Sequence, residues 1–244
     1  GRDVMPEQAT YDDKSAIQAW SNWIQSPQAK RPWFNFIELT TLDNFAGYDS
    51  SSESDSTLST AERFAADYQK SAQAADAQLA TIYAELERLD LKDNTVVIIT
   101  SNHGTEFNET KTNSWGANSN YSRYQLQVPL FISWPGKSAS EYTHRSSHLD
   151  VSVTLMQELL GVSSNPTDFS SGRSLFNERK RKWILAGDSR ELALVTDQQT
   201  TVLDKFGNYK LYDQNYQRLK NVSPRLPVLM QGLTELQRFY TKND

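Results

Sequence analysis

The segment Thr100-Ser101-Asn102-His103-Gly104 is where this sequence has the residue types and the position to do chemistry. It follows the β-branched run Thr95-Val96-Val97-Ile98-Ile99. Ligands of α/β proteins gather at the carboxyl ends of such strands. An imidazole there can bind or move a proton. The other two histidines, His144 and His148, stand four residues apart and could share a helix face, but no acidic HExxH partner accompanies them. They read either as neighbours of the strand-end site or as polar loop residues. Arg179-Lys180-Arg181-Lys182 is a basic run in an acidic chain. It reads either as a seat for lipid-headgroup phosphates, which basic clusters attract, or as a solvated turn. Trp115, Tyr121 and Tyr124 could line a lipid or partner surface or be buried.

The elements around these residues predict an α/β fold. Ser15 to Ile24 reads as a short helix with Ala16, Trp20, Trp23 and Ile24 on one face. Trp33 to Leu39 alternates and reads as a strand. A polar loop follows from Gly47 to Thr60. Phe64, Tyr68, Ala72, Ala75, Leu79, Ile82, Leu86 and Leu89 then recur at three- and four-residue steps, predicting a helix from Thr60 to Leu89 with Thr60 as N-cap. A helix followed by a strand apolar on both faces is the unit of a mainly parallel sheet with helices on both faces, with Thr95 to Thr100 central. Thr105 to Asn120 reads as a polar loop, Val128 to Trp134 as a strand, and Asp150 to Leu160 as a helix with a Val151, Leu155, Leu159 stripe and Gly161 as its C-cap. Residues 183–186, 192–195, 200–203 and 209–212 predict a small C-terminal antiparallel sheet, with a hairpin turn at Phe206-Gly207-Asn208 and a closing helix from Pro227 to Tyr240. The chain is thus divided into a core over 1–182 and a sheet-plus-helix piece of the same domain over 183–244.

Bulk properties bound the function classes. The 244 residues carry a net charge of -5, which argues against a nucleic-acid partner. The absence of cysteine excludes disulfides, thiolate metal sites and a cysteine nucleophile. No segment approaches the roughly 20 apolar residues of a membrane-spanning helix, and no signal-peptide pattern opens the sequence.

Three segments carry a family resemblance. Asp93-Asn94-Thr95-Val96-Val97-Ile98-Ile99-Thr100-Ser101-Asn102-His103-Gly104 resembles the sulfatase motif D-N-T-x-V-x-x-T-S-D-H-G. Gln127-Val128-Pro129-Leu130-Phe131-Ile132-Ser133-Trp134-Pro135-Gly136 is similar to that family's V-P-L-x-x-x-W-P-G strand, and Ser147 to Leu155 to its later D-x-x-P-T-L helix start. Their order and spacing make the chain similar to the alkaline phosphatase/sulfatase superfamily over about Trp33 to Tyr212. Within it, Leu155 to Leu160 and Ser174 to Asn177 resemble a branch of inner-membrane proteins with degraded catalytic motifs.

In active members a strand-end Asp-His pair binds a divalent metal that polarises a phosphoryl or sulfuryl oxygen. The resemblance places Asn102 and His103 at those two positions, and the neutral amide of Asn102 is the weaker ligand. It also implies a Thr, Ser or modified-Cys nucleophile upstream of Gly1, with no catalytic residue matched here. Thr40-Thr41-Leu42-Asp43-Asn44 stands where family hydrolases often carry a histidine loop, and Thr40 and Thr41 read as strand-end hydrogen-bonding residues. The expectation is therefore a non-catalytic domain on the periplasmic side of an inner membrane, anchored by helices outside this chain. It would bind anionic lipid, lipopolysaccharide or cardiolipin, or a membrane protein, with no cofactor of its own. The alternative is a metal-dependent sulfatase, phosphatase or headgroup transferase, with a divalent metal in the complete domain.

Overall fold

The structure is a computed structural model and describes residues 12–45 and 57–239. Most of the polar loop expected from Gly47 to Thr60, and the tip of the last helix at Tyr240, lie outside the described residues. The chain divides into two compact units: residues 1–99 with 130–137, and residues 100–129 with 138–244.

In the first unit, α1 (Asp13–Ile24) begins at Asp12, whose carboxylate accepts from the Ser15 N–H. Its buried stripe is Ile17, Trp20 and Ile24, so Ile17 rather than Ala16 leads the apolar face. α2 (Thr60–Arg88) is capped by Ser59, one residue before the expected Thr60. Ser59 accepts from the Glu62 N–H and Glu62 accepts from the Ser59 N–H, the reciprocal capping box. Ile17, Trp20, Ile24, Ile82, Leu86 and Leu91 form one core, with Trp33, Ile37, Leu39 and Val97 packed against it.

Among the described residues, Trp33 to Leu39 does not pair as a ladder strand. Its period of two survives as burial: Trp33, Asn35, Ile37 and Leu39 are half-buried, while Phe34 and Phe36 are exposed. Trp20 Nε1 donates to Asn35 Oδ1 at 3.2 Å. Among the described residues, side-chain packing and not a ladder partner holds this segment.

β1 (Val97–Thr100) is shorter than the expected Thr95 to Thr100 and pairs with β4 (Leu130–Ser133) in a two-stranded sheet. Val97, Ile98 and Ile99 are half-buried. Among the described residues β4 is the ladder partner of β1, so the central position and the mainly parallel sheet are not seen there.

In the second unit, β2 (Glu106–Phe107) and β3 (Trp115–Gly116) form a short antiparallel hairpin, followed by α3 (Arg123–Leu126). The polar loop reading over Thr105 to Asn120 missed both strands, and α3 falls in the stretch between that loop and the strand expected from Val128. α4 (His148–Glu158) starts at N-cap Ser147, and Gly161 takes a left-handed φ of 65° beyond its end. Its buried face is Asp150, Val153 and Thr154 instead of the expected leucine stripe, and Leu159 is exposed.

A five-stranded antiparallel meander follows: β5 (Trp183–Gly187), β6 (Glu191–Thr196), β7 (Thr200–Asp204), β8 (Tyr209–Tyr212) and β9 (Arg218–Leu219). Four strands match the sequence reading, and the two-residue β9 adds a fifth. α5 (Leu226–Gln237) packs against β5, where a Cβ on Gly232 would meet Leu194 Cδ1 at 2.8 Å.

Candidate functional site

The carboxyl end of β1 delivers Thr100, and the chain then turns through Ser101 to Gly104. Ser101 Oγ donates to the His103 carbonyl at 2.7 Å, closing the turn. Gly104 N donates to the Gln125 carbonyl at 2.8 Å, and a Cβ at residue 104 would lie 2.0 Å from the Tyr124 oxygen. Only glycine allows that approach of two backbones. Gln125 in turn holds the loop before it: its Nε2 donates to the Gly116 carbonyl at 2.6 Å, and its Oε1 accepts from Asn118 N at 2.8 Å.

Beneath this turn Glu106 is fully buried. Its Oε1 accepts from Thr110 N at 3.0 Å and from the Thr110 hydroxyl, while Oε2 accepts from Asn120 Nδ2 at 2.6 Å and Ser122 Oγ at 3.1 Å. The hydroxyls of Thr110, Thr112 and Ser114 continue the network at 2.8 and 3.0 Å. Asn108, Asn113 and Asn118 take positive φ in the same loop, a conformation asparagine tolerates better than most residues. The asparagine-rich composition is thus a set of left-handed turn positions around one buried carboxylate.

Asn102 is exposed and His103 half-buried, with His103 Nδ1 3.1 Å from the Gly104 carbonyl. Among the described residues no three His, Asp or Glu side chains are grouped as a metal cage would be. A neutral amide oxygen and one imidazole do not complete the four or more donors that zinc or magnesium takes. The described residues therefore do not by themselves fit a resident divalent ion, and no chemical step is derived through one.

His148 is the residue that sequence reasoning undervalued. It occupies the first turn of α4, and its Nε2 lies 3.2 Å from Thr100 Oγ1. His144 is not helical, so the two histidines do not share a helix face; its ring instead meets Tyr142 edge-on at 5.8 Å. Thr100 Oγ1, with a single proton to donate, also lies 2.9 Å from the Pro129 carbonyl. When that proton goes to Pro129, His148 Nε2 is the donor to Thr100; when it goes to His148, the ring nitrogen accepts. The pair has the composition of a nucleophile and its base, and the Pro129 carbonyl competes with His148 for the threonine proton.

Thr40 and Thr41 direct both backbone N–H groups and both hydroxyls at the buried carboxylate of Asp13, the N–H bonds being 2.8 and 2.9 Å. Burial raises the Asp13 pKa, but the bonds from Thr40 and Thr41 outweigh it and hold the group below the usual carboxylate range.

The basic run is split by its partners. Lys180 pairs with Asp197 at 2.8 Å, and Arg145 reaches the other oxygen of the same carboxylate at 2.8 Å. Arg181 turns inward to Asp150, which also accepts from Ser147 N and Arg173 N. Burial, and then the charge of Arg181, depress the pKa of Arg173. Arg179 and Lys182 are exposed. Trp115, Tyr121 and Tyr124 are half-buried, with Arg123 stacked 4.9 Å over the Tyr124 ring.

The strand-end turn, its glycine contact and the capped helix from His148 all lie in the part of the chain that one family model matches. Residues 2–162 match the sulfatase family model, and the chain belongs to that family. Among curated proteins it is similar to the inner membrane protein YejM of Salmonella typhimurium, 33% identical over 237 residues, covering 96% of this chain and 38% of that protein. YejM of Salmonella typhi matches at 33% over 239 residues, with the same coverage. The chain thus spans about two fifths of the length of these relatives. Among solved structures it resembles the phosphonate monoester hydrolase of Agrobacterium radiobacter, with a TM-score of 0.53 at 17% identity, covering 73% of this chain and 41% of that one. The Silicibacter pomeroyi enzyme gives 0.52 at 19%, covering 81% and 45%. At these identities the structural likeness establishes the fold alone.

Proposed function

We propose that this chain is part of the periplasmic domain of an inner-membrane protein that uses the sulfatase scaffold for binding, with lipopolysaccharide or cardiolipin as the ligand class. The observation that carries the reading is Asn102: the position that would supply a charged metal ligand holds an exposed neutral amide. YejM is named as an inner membrane protein in the relatives above, which favours the location. Lipid phosphates would meet Arg179 and Lys182, while the exposed Lys180 and the inward Arg181 pair with Asp197 and Asp150. In the complete domain β1 would take its place inside the wider parallel sheet. The test measures turnover of aryl phosphate and aryl sulfate, with and without magnesium, manganese or zinc, beside His103→Ala. Lipopolysaccharide binding is measured in parallel. The expected result is no turnover above background, and lipopolysaccharide binding that Arg179→Glu/Lys182→Glu weakens at least tenfold. Metal-dependent turnover lost in His103→Ala would replace this reading with the enzyme.

A further inference from the structure

The last strand of the meander presents an unpaired edge. β9 meets β8 through Leu219 opposite Leu211 and Arg218 opposite Tyr212, and no described strand lies on its other side. The Asp213 N–H donates to the Gln217 carbonyl at 3.0 Å. By the alternation of an antiparallel ladder, Leu219 is then the next residue bonded to β8, and Arg218 turns its N–H and C=O outward. Asn221, at φ 57°, takes the chain out of the ladder. The edge is held in place from behind: Gln217 Nε2 donates to the Thr110 carbonyl at 2.6 Å, and the Tyr216 ring stacks on Tyr212 at 4.2 Å.

The two faces of this edge differ. Register sets Lys210, Tyr212 and Arg218 on one face and Tyr209, Leu211 and Leu219 on the other. Lys210, Arg218 and Lys220 are exposed and form no ion pair among the described residues. The Arg218 guanidinium instead lies 5.8 Å from the Tyr212 ring centre. Asp213 is the one acid between residues 205 and 225, and it accepts from the N–H groups of Asn215 and Gln217. An open groove of about 670 Å³ borders the edge, with Tyr209, Leu219 and Val222 in its lining beside Arg218 and Lys220. Tyr209 and Val222 are exposed there.

We infer that the outer edge of β9 docks an extended segment of a protein partner, which adds as a further antiparallel strand and alternates acidic with apolar residues. A flat surface would meet one face of the sheet and miss the other. An added strand meets both, because its successive side chains point to opposite faces. Its backbone would take the outward N–H and C=O of Arg218. The residue directly opposite Arg218 shares the face of Arg218, so that residue is the acidic one, with Lys210 behind it in β8. The neighbouring apolar residues fall on the Leu219 face, toward Tyr209 and Val222. Charge also decides against a second copy of this chain as the occupant. Cations on an edge strand oppose pairing between identical edges, and the same cations favour an acidic strand. The edge is separate from the Arg179 and Lys182 seat and does not depend on its lipid ligand.

The test is fluorescence anisotropy of the full 244-residue chain with a short labelled peptide that alternates glutamate and valine. The expected result is saturable binding that salt weakens, with the Arg218 N–H protected from hydrogen exchange when the peptide is added. A peptide alternating lysine and valine should not bind. Methylating the glutamate backbone nitrogens removes the donor to the Arg218 carbonyl and should weaken binding about tenfold. Methylating the valine nitrogens, which face away, should leave it unchanged. Arg218→Glu/Lys220→Glu alters exposed residues only, an unchanged melting temperature confirms its fold, and it should weaken binding about tenfold. The proposal is overturned if this variant binds like the wild type, or if the two methylated peptides bind alike. It is also overturned if Arg179→Glu/Lys182→Glu alone abolishes peptide binding, which would give the peptide to the basic run. If the wild type binds vesicles containing phosphatidylglycerol through Arg218 and Lys220 but not the peptide, the edge meets a lipid surface and strand addition is wrong. No peptide binding by the wild type rejects the docking edge outright.

Discussion

Replacing Glu106 tests whether one buried carboxylate organises the loop behind the strand end. The side chain is fully buried and accepts four hydrogen bonds, two at each oxygen. Glu106→Ala orphans the Thr110 N–H, a buried backbone donor, at about 1–3 kcal/mol. It also removes the acceptor of Asn120 Nδ2 and Ser122 Oγ, at about 1 kcal/mol each. The Thr110 hydroxyl loses least, because Thr112 Oγ1 remains 2.8 Å away. The expected loss is about 3–5 kcal/mol. Glu106→Gln keeps one oxygen for Thr110 and sets an amide NH₂ against Asn120 and Ser122. The Ser122 hydroxyl can turn to accept, whereas the Asn120 amide cannot, so this variant should lose about 1–2 kcal/mol. Urea denaturation at pH 7 gives the ranking, and hydrogen exchange at Thr110 N–H gives the local effect. The reasoning is refuted if Glu106→Ala falls within about 1 kcal/mol of wild type, or if the Gln and Ala variants lose equally.

Two further perturbations probe the other buried carboxylates. Asp150→Ala leaves the Arg181 side chain, only 14% exposed, without its partner and should cost about 3–5 kcal/mol. Asp150→Ala/Arg181→Met should cost clearly less than the sum of its singles, and additive denaturation midpoints would show that the pair is not coupled. Asp13 has a folded pKa below its unfolded value, so its stabilisation is complete above about pH 4 and is lost as pH falls through the lower folded value. Acid titration of unfolding should therefore be shallower in Asp13→Asn than in wild type below about pH 4, and identical acid limbs would contradict the assignment.

The legible parts of the fold are those where side-chain pattern and backbone geometry coincide. The meander declares itself through short alternating runs separated by turn residues. α2 declares itself through its apolar step, and the error at its start is one residue because Ser59 and Thr60 are both competent caps. The buried face of α4 is not legible. Asp150 and Thr154 point inward because the first accepts from Arg173 N and the second, at 2.8 Å, from Leu175 N. Those partners lie more than twenty residues away, so no periodicity rule for apolar residues can find them. The extended segment from Trp33 fails for the opposite reason. Its alternation is real, but alternation reports which faces are buried and says nothing of whether a neighbouring strand is present to pair.

The same distinction governs the strand-end motif. Gly104 is demanded by the fold, since any side chain there would strike the Tyr124 carbonyl. Asp150 is likewise demanded by the backbone it caps. Such residues are explained by the fold whether or not it performs chemistry. Asn102 is different: it is exposed, and the turn around it is closed by Ser101 and Gly104. Packing imposes little on that position, so the fold does not choose between an amide and a carboxylate there. A carboxylate there would signal a cation. An amide there, beside a threonine bonded to the Pro129 carbonyl, is the weaker ligand, so this exposed position, and not the packed Gly104 or Asp150, is the one a test of metal binding must address.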